Sequence, residues 1–237
     1  MSARILLALD TPDLAIALAQ TRAAGEAVDG VKLGLEFFLA NGPTGVLAIG
    51  AIGRPIFLDL KFHDIPSTVA GAVRSALRLR PMMLNVHAGG GRAMLRAAAE
   101  AVRGRGEARP LLIAVTVLTS LADEDLTAVG QGASAAGQAR RLAALAKAEG
   151  CDGVVCAGSD IAAIRADCGP DFKLVVPGLR PAEAAVQDQK RVMTPGEAAR
   201  LGADFLVIGR PITGATDPAA AAGAIRREIG IEGAARR

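Results

Sequence analysis

Residues 59–66 read Asp-Leu-Lys-Phe-His-Asp-Ile-Pro. Asp59 and Lys61 are two apart, so on a strand they face the same side. Asp64 follows three residues later, where a strand would give way to a loop, and Lys32, within a separate apolar run, can reach the same place. Carboxylates alternating with ammonium groups hold each lysine in its charged form even where burial opposes it. A protonated lysine fixed beside a reacting atom is a general acid. The same spacing serves an ordinary ion-pair network at a strand end equally well.

A second constellation is Val207-Ile208-Gly209-Arg210-Pro211-Ile212-Thr213. Glycine lets the backbone approach a ligand closely, and arginine offers a two-pronged fork for phosphate. A tight turn with a solvent-facing arginine is the other reading. The stretch 177–194 adds Arg180, Gln189, Lys190 and Arg191; a connection of that length is a binding loop or lid, or else a mobile insertion. His63 and His87 read as hydrogen-bonded structural residues near strand ends. With those two histidines and no C-x-x-C pair, a Cys/His zinc site is not expected. Cys151, Cys156 and Cys168 read as core residues, and neither Ser67 nor Ser159 has a base partner or a nucleophile-elbow motif.

These groups need a scaffold. Short apolar runs recur at Ile5–Leu9, Val31–Leu33, Ile56–Leu60, Met83–Val86, Leu111–Val117, Gly153–Cys156, Lys173–Val176 and Phe205–Ile208. They are continuous rather than alternating, as strands covered on both faces are. Ala/Leu-rich segments with helical spacing lie between them, at Leu14–Ala24, Thr68–Leu79, Ala93–Val102, Ala135–Ala148 and Glu197–Leu201. About eight βα units fill the chain. The expected fold is therefore α/β, a single-domain (β/α)₈ barrel over residues 1–237, with no linker for a second domain. A doubly wound sheet stays open as the alternative, although no G-x-G-x-x-G follows the first run. Barrel chemistry sits where strands end. Asp10 follows the first run, Lys32 lies in the second, Asp59, Lys61 and Asp64 close the third, and His87 closes the fourth. Thr119 follows the fifth, Arg180 the seventh, and Gly209 and Arg210 the eighth.

Composition narrows the partners. The chain has 237 residues, 51% of them hydrophobic, with no Trp or Tyr and 6 Phe, so it lacks an aromatic platform for nucleic acid. A net charge of +3 favours a small anionic ligand. The longest strongly apolar stretch, residues 111–118, falls far short of the roughly 20 residues that span a bilayer. An odd cysteine count and a first segment without signal-peptide architecture predict a reduced, cytoplasmic protein.

Residues 59–69, D-L-K-F-H-D-I-P-S-T-V, resemble the signature of the orotidine 5′-monophosphate decarboxylase family. The resemblance extends in order through Leu9-Asp10, Val31-Lys32-Leu33-Gly34, Asn85-Val86-His87-Ala88, Val117-Leu118-Thr119-Ser120 and Val176-Pro177-Gly178-Leu179-Arg180. It continues through Asp188-Gln189-Lys190-Arg191 to Gly209-Arg210-Pro211-Ile212-Thr213. One departure is Gln187, where bacterial members often carry glycine. The resemblance implies that Lys61 protonates C6 of the pyrimidine as carbon dioxide leaves, with Asp59 beside the departing carboxylate. It implies that Lys32 and Asp64 complete the charged network, and that Asp10 and Lys32 contact the ribose hydroxyls. Thr119 would contact the base, and Arg180, Gln189, Gly209 and Arg210 the phosphate. Asp64, Ile65 and Thr68 would reach a partner's site in a homodimer. No metal and no organic cofactor is implied. Two other readings compete. A metal-dependent sugar-phosphate lyase of the 3-keto-gulonate 6-phosphate decarboxylase type shares D-x-K-x-x-D, but carries an acidic metal ligand where this chain has Lys32, and a cation there repels Mg²⁺. A non-catalytic phosphate-ligand sensor has no need of a proton donor.

Overall fold

A computed structural model describes residues 3–104, 109–131, 134–181 and 193–230. Each of the eight apolar runs forms a strand: β1 Arg4–Leu9, β2 Gly30–Leu33, β3 Ile56–Phe62, β4 Met83–His87, β5 Leu111–Val115, β6 Gly153–Val155, β7 Lys173–Val176 and β8 Phe205–Ile208. The sheet is a closed barrel in chain order from β1 to β8, and closure rules out the doubly wound alternative. Ile5–Leu9 and Phe205–Ile208 are buried at every position, the pattern of parallel strands covered on both sides. The helices are α1 Leu14–Ala24, α2 Leu35–Gly50, α3 Pro66–Ala76, α4 Gly91–Arg103, α5 Asp123–Ala128, α6 Ala135–Ala148, α7 Ile161–Cys168, α8 Pro195–Arg200, α9 Arg210–Thr213 and α10 Pro218–Glu228. The alternation makes the fold a (β/α)₈ barrel.

β3 and β5 depart furthest from the apolar runs that announce them, by two residues each. β3 continues through Phe62 and so includes Lys61, whereas β5 stops at Val115. Just beyond β5, the N–H and hydroxyl of the buried Thr116 both donate to the Val155 carbonyl, at 3.2 and 2.8 Å.

The chain groups into two compact units, Met1–Phe57 with Val176–Arg237, and Leu58–Val175. In the first, β1 pairs with β2 (Leu6 opposite Gly30) and with β8 (Arg4 opposite Phe205). Asp29, just before β2, donates its N–H to Ile5 O at 2.8 Å and accepts the Ile5 N–H on its carboxylate at 2.7 Å. Arg226 of α10 donates to the same carboxylate at 2.7 Å and to Ala27 O at 2.6 Å. In the second unit β4, β5, β6 and β7 pair in sequence, and the device recurs. Asp152 donates its N–H to Leu112 O and accepts the Leu112 N–H, both at 2.8 Å, while Arg109 grips the carboxylate with two prongs at 2.7 Å. Each aspartate precedes a glycine that opens its strand. A Cβ on Gly30 would sit 2.7 Å from the Pro55 carbonyl oxygen, and one on Gly153 would collide with the Lys173 carbonyl.

Candidate active site

In the second unit the site begins on β3 and β4. Asp59 is buried, and its Oδ1 accepts from Lys61 Nζ at 2.7 Å. The two side chains meet, as their spacing predicts, but the backbone departs from strand geometry: Lys61 has φ +50°. Among the described non-glycine residues, Arg80 is the other with positive φ. Asn85, fully buried on β4, holds this arrangement. Its Oδ1 accepts the Lys61 backbone N–H at 2.8 Å, and its Nδ2 donates to Asp59 Oδ1 at 2.7 Å. Residue spacing alone gives Asn85, in Asn85-Val86-His87-Ala88, no role. The signal was a polar side chain inside the apolar run Met83–Val86, since a buried amide must find partners.

The two histidines stack on each other with ring centroids 5.1 Å apart and planes 8° from parallel. His87 Nδ1 accepts the Gly89 N–H at 3.1 Å, so the ring is neutral at that nitrogen. Burial first, then His63 and Lys61, hold its pKa below the ordinary imidazole value. His87 is thus hydrogen-bonded at the end of its strand, as expected. Asp64 is exposed, and its Oδ1 accepts the Ile65 N–H at 2.6 Å just before Pro66 opens α3. Asp64, Thr68, His63 and Lys61 help line an open cavity of about 310 Å³. Ile65 is 64% exposed, and Thr119 is exposed on the connection after β5.

In the first unit, Lys32 of β2 donates from Nζ to Asp10 Oδ1 at 3.1 Å. The lysine side chain is 12% exposed and the aspartate 65%, so the carboxylate faces solvent while the ammonium is sheltered. Gly34, next after β2, leaves the room: a Cβ there would lie 3.2 Å from Lys32 Nζ. A Cβ on Gly209, after β8, would lie 3.6 Å from Asp10 Oδ2. Gly209 is the N-cap of α9, and Arg210 is exposed on its first turn. After β7 the Arg180 N–H donates to Met193 O at 3.3 Å, joining the two ends of the long connection. Gln189, with Gln187, Asp188, Lys190 and Arg191, lies outside the described residues.

The cysteines are buried, and burial pushes the thiols of Cys151 and Cys156 up to about 12, which leaves them protonated and unreactive at neutral pH. Among the described residues, no cluster of three His, Cys, Asp or Glu side chains is placed to share a metal ion. The second unit offers an ammonium fixed against a carboxylate at the end of β3; the first, taken by itself, offers a sheltered lysine on β2 and a glycine–arginine turn after β8.

Fold and groups together define a (β/α)₈-barrel enzyme. The chain belongs to the orotidine 5′-phosphate decarboxylase / HUMPS family, whose profile matches residues 3–225. It is 54% identical to the orotidine 5′-phosphate decarboxylase of Rhodospirillum rubrum, over 95% of this chain and 93% of the relative. It is 53% identical to that of Novosphingobium aromaticivorans, over 97% of this chain and all of the relative. Among solved structures, the orotidine 5′-phosphate decarboxylase of Lactobacillus acidophilus superposes with a TM-score of 0.83 at 34% identity, covering 96% of this chain and 99% of the other.

Proposed function

We propose that this protein decarboxylates orotidine 5′-monophosphate to uridine 5′-monophosphate and carbon dioxide, the last step in de novo synthesis of that nucleotide, in one catalytic domain spanning residues 1–237. The observation that carries the reading is the Asp59–Lys61 pair, 2.7 Å apart and held from both ends by Asn85, in a chain of this family. The bond from C6 to its carboxylate breaks and its electron pair stays on C6. Lys61 Nζ donates a proton there, and solvent later returns one to the amine. An ammonium already aimed at the developing charge needs little reorganisation during the reaction. Asp59 lies beside the leaving carboxylate.

Lys32 and Asp10 take the ribose hydroxyls, Thr119 the base, and Arg180, Gln189, Gly209 and Arg210 the phosphate. Phosphate binding, remote from the bond that breaks, offsets the crowding of Asp59 against substrate. Asp64, Ile65 and Thr68 serve the site of a second copy in a homodimer; their exposure leaves them available for it. The reaction uses neither metal nor organic cofactor, and involves no nucleic acid and no membrane in a cytoplasmic setting. No helix among the described residues is long and apolar enough to cross a membrane.

The family description also covers HUMPS members, which makes the metal-dependent sugar-phosphate lyase the rival. Lys32, sheltered at the end of β2, argues against it, since a cation is a poor neighbour for Mg²⁺. The test is to mix the purified protein with orotidine 5′-monophosphate in excess chelator and follow the orotate absorbance. The expected result is turnover undiminished by EDTA. Activity that vanishes on chelation and returns with Mg²⁺ favours the lyase, and binding without turnover favours a sensor.

A further inference from the structure

We propose that Asn85 is the positioning residue for the proton donor, holding the backbone of Lys61 and the carboxylate of Asp59 as one rigid piece. The inference rests on the decarboxylase reading above. Asn85 is 0% exposed and sits mid-strand in β4. A buried primary amide brings an acceptor and a donor in one plane, and here each is committed to a different part of the same couple. The acceptor takes the Lys61 N–H at 2.8 Å, and the donor goes to Asp59 Oδ1 at 2.7 Å. That oxygen also receives Lys61 Nζ at 2.7 Å. Asn85, Asp59 and Lys61 therefore close a ring of three hydrogen bonds. Within it the Asp59 carboxylate has its rotation set, and Lys61 Nζ is set by the carboxylate.

The backbone bond does separate work. Lys61 occupies the left-handed region at φ +50°, where a long side chain is disfavoured, and such conformations persist when surrounding bonds over-determine them. Removing the acceptor would free Lys61 to relax toward strand geometry and swing its ammonium off line. The neighbouring side chains narrow what can replace Asn85. Leucine matches its size and offers no bond. Aspartate keeps the acceptor but turns a second acid toward Asp59, with Lys61 as the adjacent cation and His87 two residues along β4.

The experiment compares Asn85→Ala and Asn85→Asp with the unmodified protein on orotidine 5′-monophosphate. For Asn85→Ala, kcat should fall on the order of 100-fold, the usual consequence of misplacing a reacting group by about an ångström. KM should move by less than about threefold, because the groups proposed for ribose and phosphate are untouched. For Asn85→Asp, the ratio of its kcat to that of the unmodified protein should rise as pH falls from about 8 to about 5.5, because a protonated Asp side chain regains a donor toward Asp59. A role in packing alone would leave that ratio flat. A flat ratio, or an Asn85→Ala enzyme within threefold of the original kcat, overturns the proposal. An unmodified protein that leaves the nucleotide unchanged refutes the decarboxylase reading instead, and the proposal falls with it. Should both variants lose the fold, amide exchange on the unmodified protein decides. The Lys61 N–H should exchange as slowly as the amides of β4; exchange as fast as that of the flanking loop overturns the brace.

Discussion

Lys61 combines a side chain pinned to Asp59 with a backbone conformation that costs about 1–3 kcal/mol for a residue of its kind. Strain of that size is kept where a side chain must leave the strand in one direction only. Arg210 is the opposite case, exposed on the first turn of α9 with no strain to support it. If it holds the phosphate, Arg210→Ala should cost about 1.5–3 kcal/mol of transition-state stabilisation, the worth of a charge-assisted hydrogen bond. The loss should nearly disappear for the nucleoside substrate that lacks phosphate. Steady-state kcat/KM measured with both substrates checks this, and equal losses would mean that Arg210 acts through the fold.

At the level of elements, β2 and β6 are anchored in the same way. An aspartate before the strand exchanges hydrogen bonds with the neighbouring strand, an arginine grips its carboxylate, and a glycine follows. Asp152→Ala strands the Leu112 N–H beside an unpaired Arg109. It should lower stability by about 1–3 kcal/mol, the cost of one unsatisfied buried donor. Gly153→Ala pushes a methyl into the Lys173 carbonyl and should cost about the same through overpacking. Denaturant midpoints give both values. Neither change touches the groups proposed for chemistry, so kcat measured well below the melting range should stay within about twofold of the original; a large drop in kcat at full folding would show that β6 does more than hold the sheet.

For the whole molecule, stability should respond to His87. Burial, His63 and Lys61 depress its pKa in the folded chain, while the unfolded chain restores the ordinary value of about 6.5. Below that pH the unfolded state takes up a proton that the folded state refuses. The contribution is therefore complete above pH 6.5 and is lost as pH falls through the depressed value. The melting temperature should drop between about pH 7.5 and about pH 5.5, and drop less in His87→Asn, which can still accept the Gly89 N–H. Parallel curves for the two proteins would remove His87 as the cause. The proposed dimer has its own test. Lys61→Ala and Asp64→Ala chains, each nearly inactive alone, are mixed and allowed to exchange. If Asp64 serves the partner's site, a mixed dimer holds one site with both defects and one with neither, and activity returns. If Asp64 serves its own chain, every site keeps a defect and the mixture stays inactive, with exchange verified by mass spectrometry.

The eight strands could be read from the chain because each is a continuous aliphatic run, and burial on both faces is a demand that a short segment states by itself. The burial of the cysteines and the shared side of Asp59 and Lys61 were legible for the same local reason. Helix α2 was not, because Gly42 and Pro43 interrupt it; the fold tolerates the kink there, with the Asn41 amide donating to the Pro12 and Phe37 carbonyls. Nor could the chain alone pair Lys32 with Asp10, 22 residues away, or give Asn85 its two partners, 24 and 26 residues away. Those bonds depend on which strands lie side by side and in what register. The left-handed turn at Lys61 follows from them, since a lysine has no local reason to adopt it. Residue type and spacing thus determined which groups stand at the strand ends. Tertiary structure decided which of them touch, because hydrogen bonds form between neighbours in space, and those neighbours are set by the pairing and register of adjacent strands.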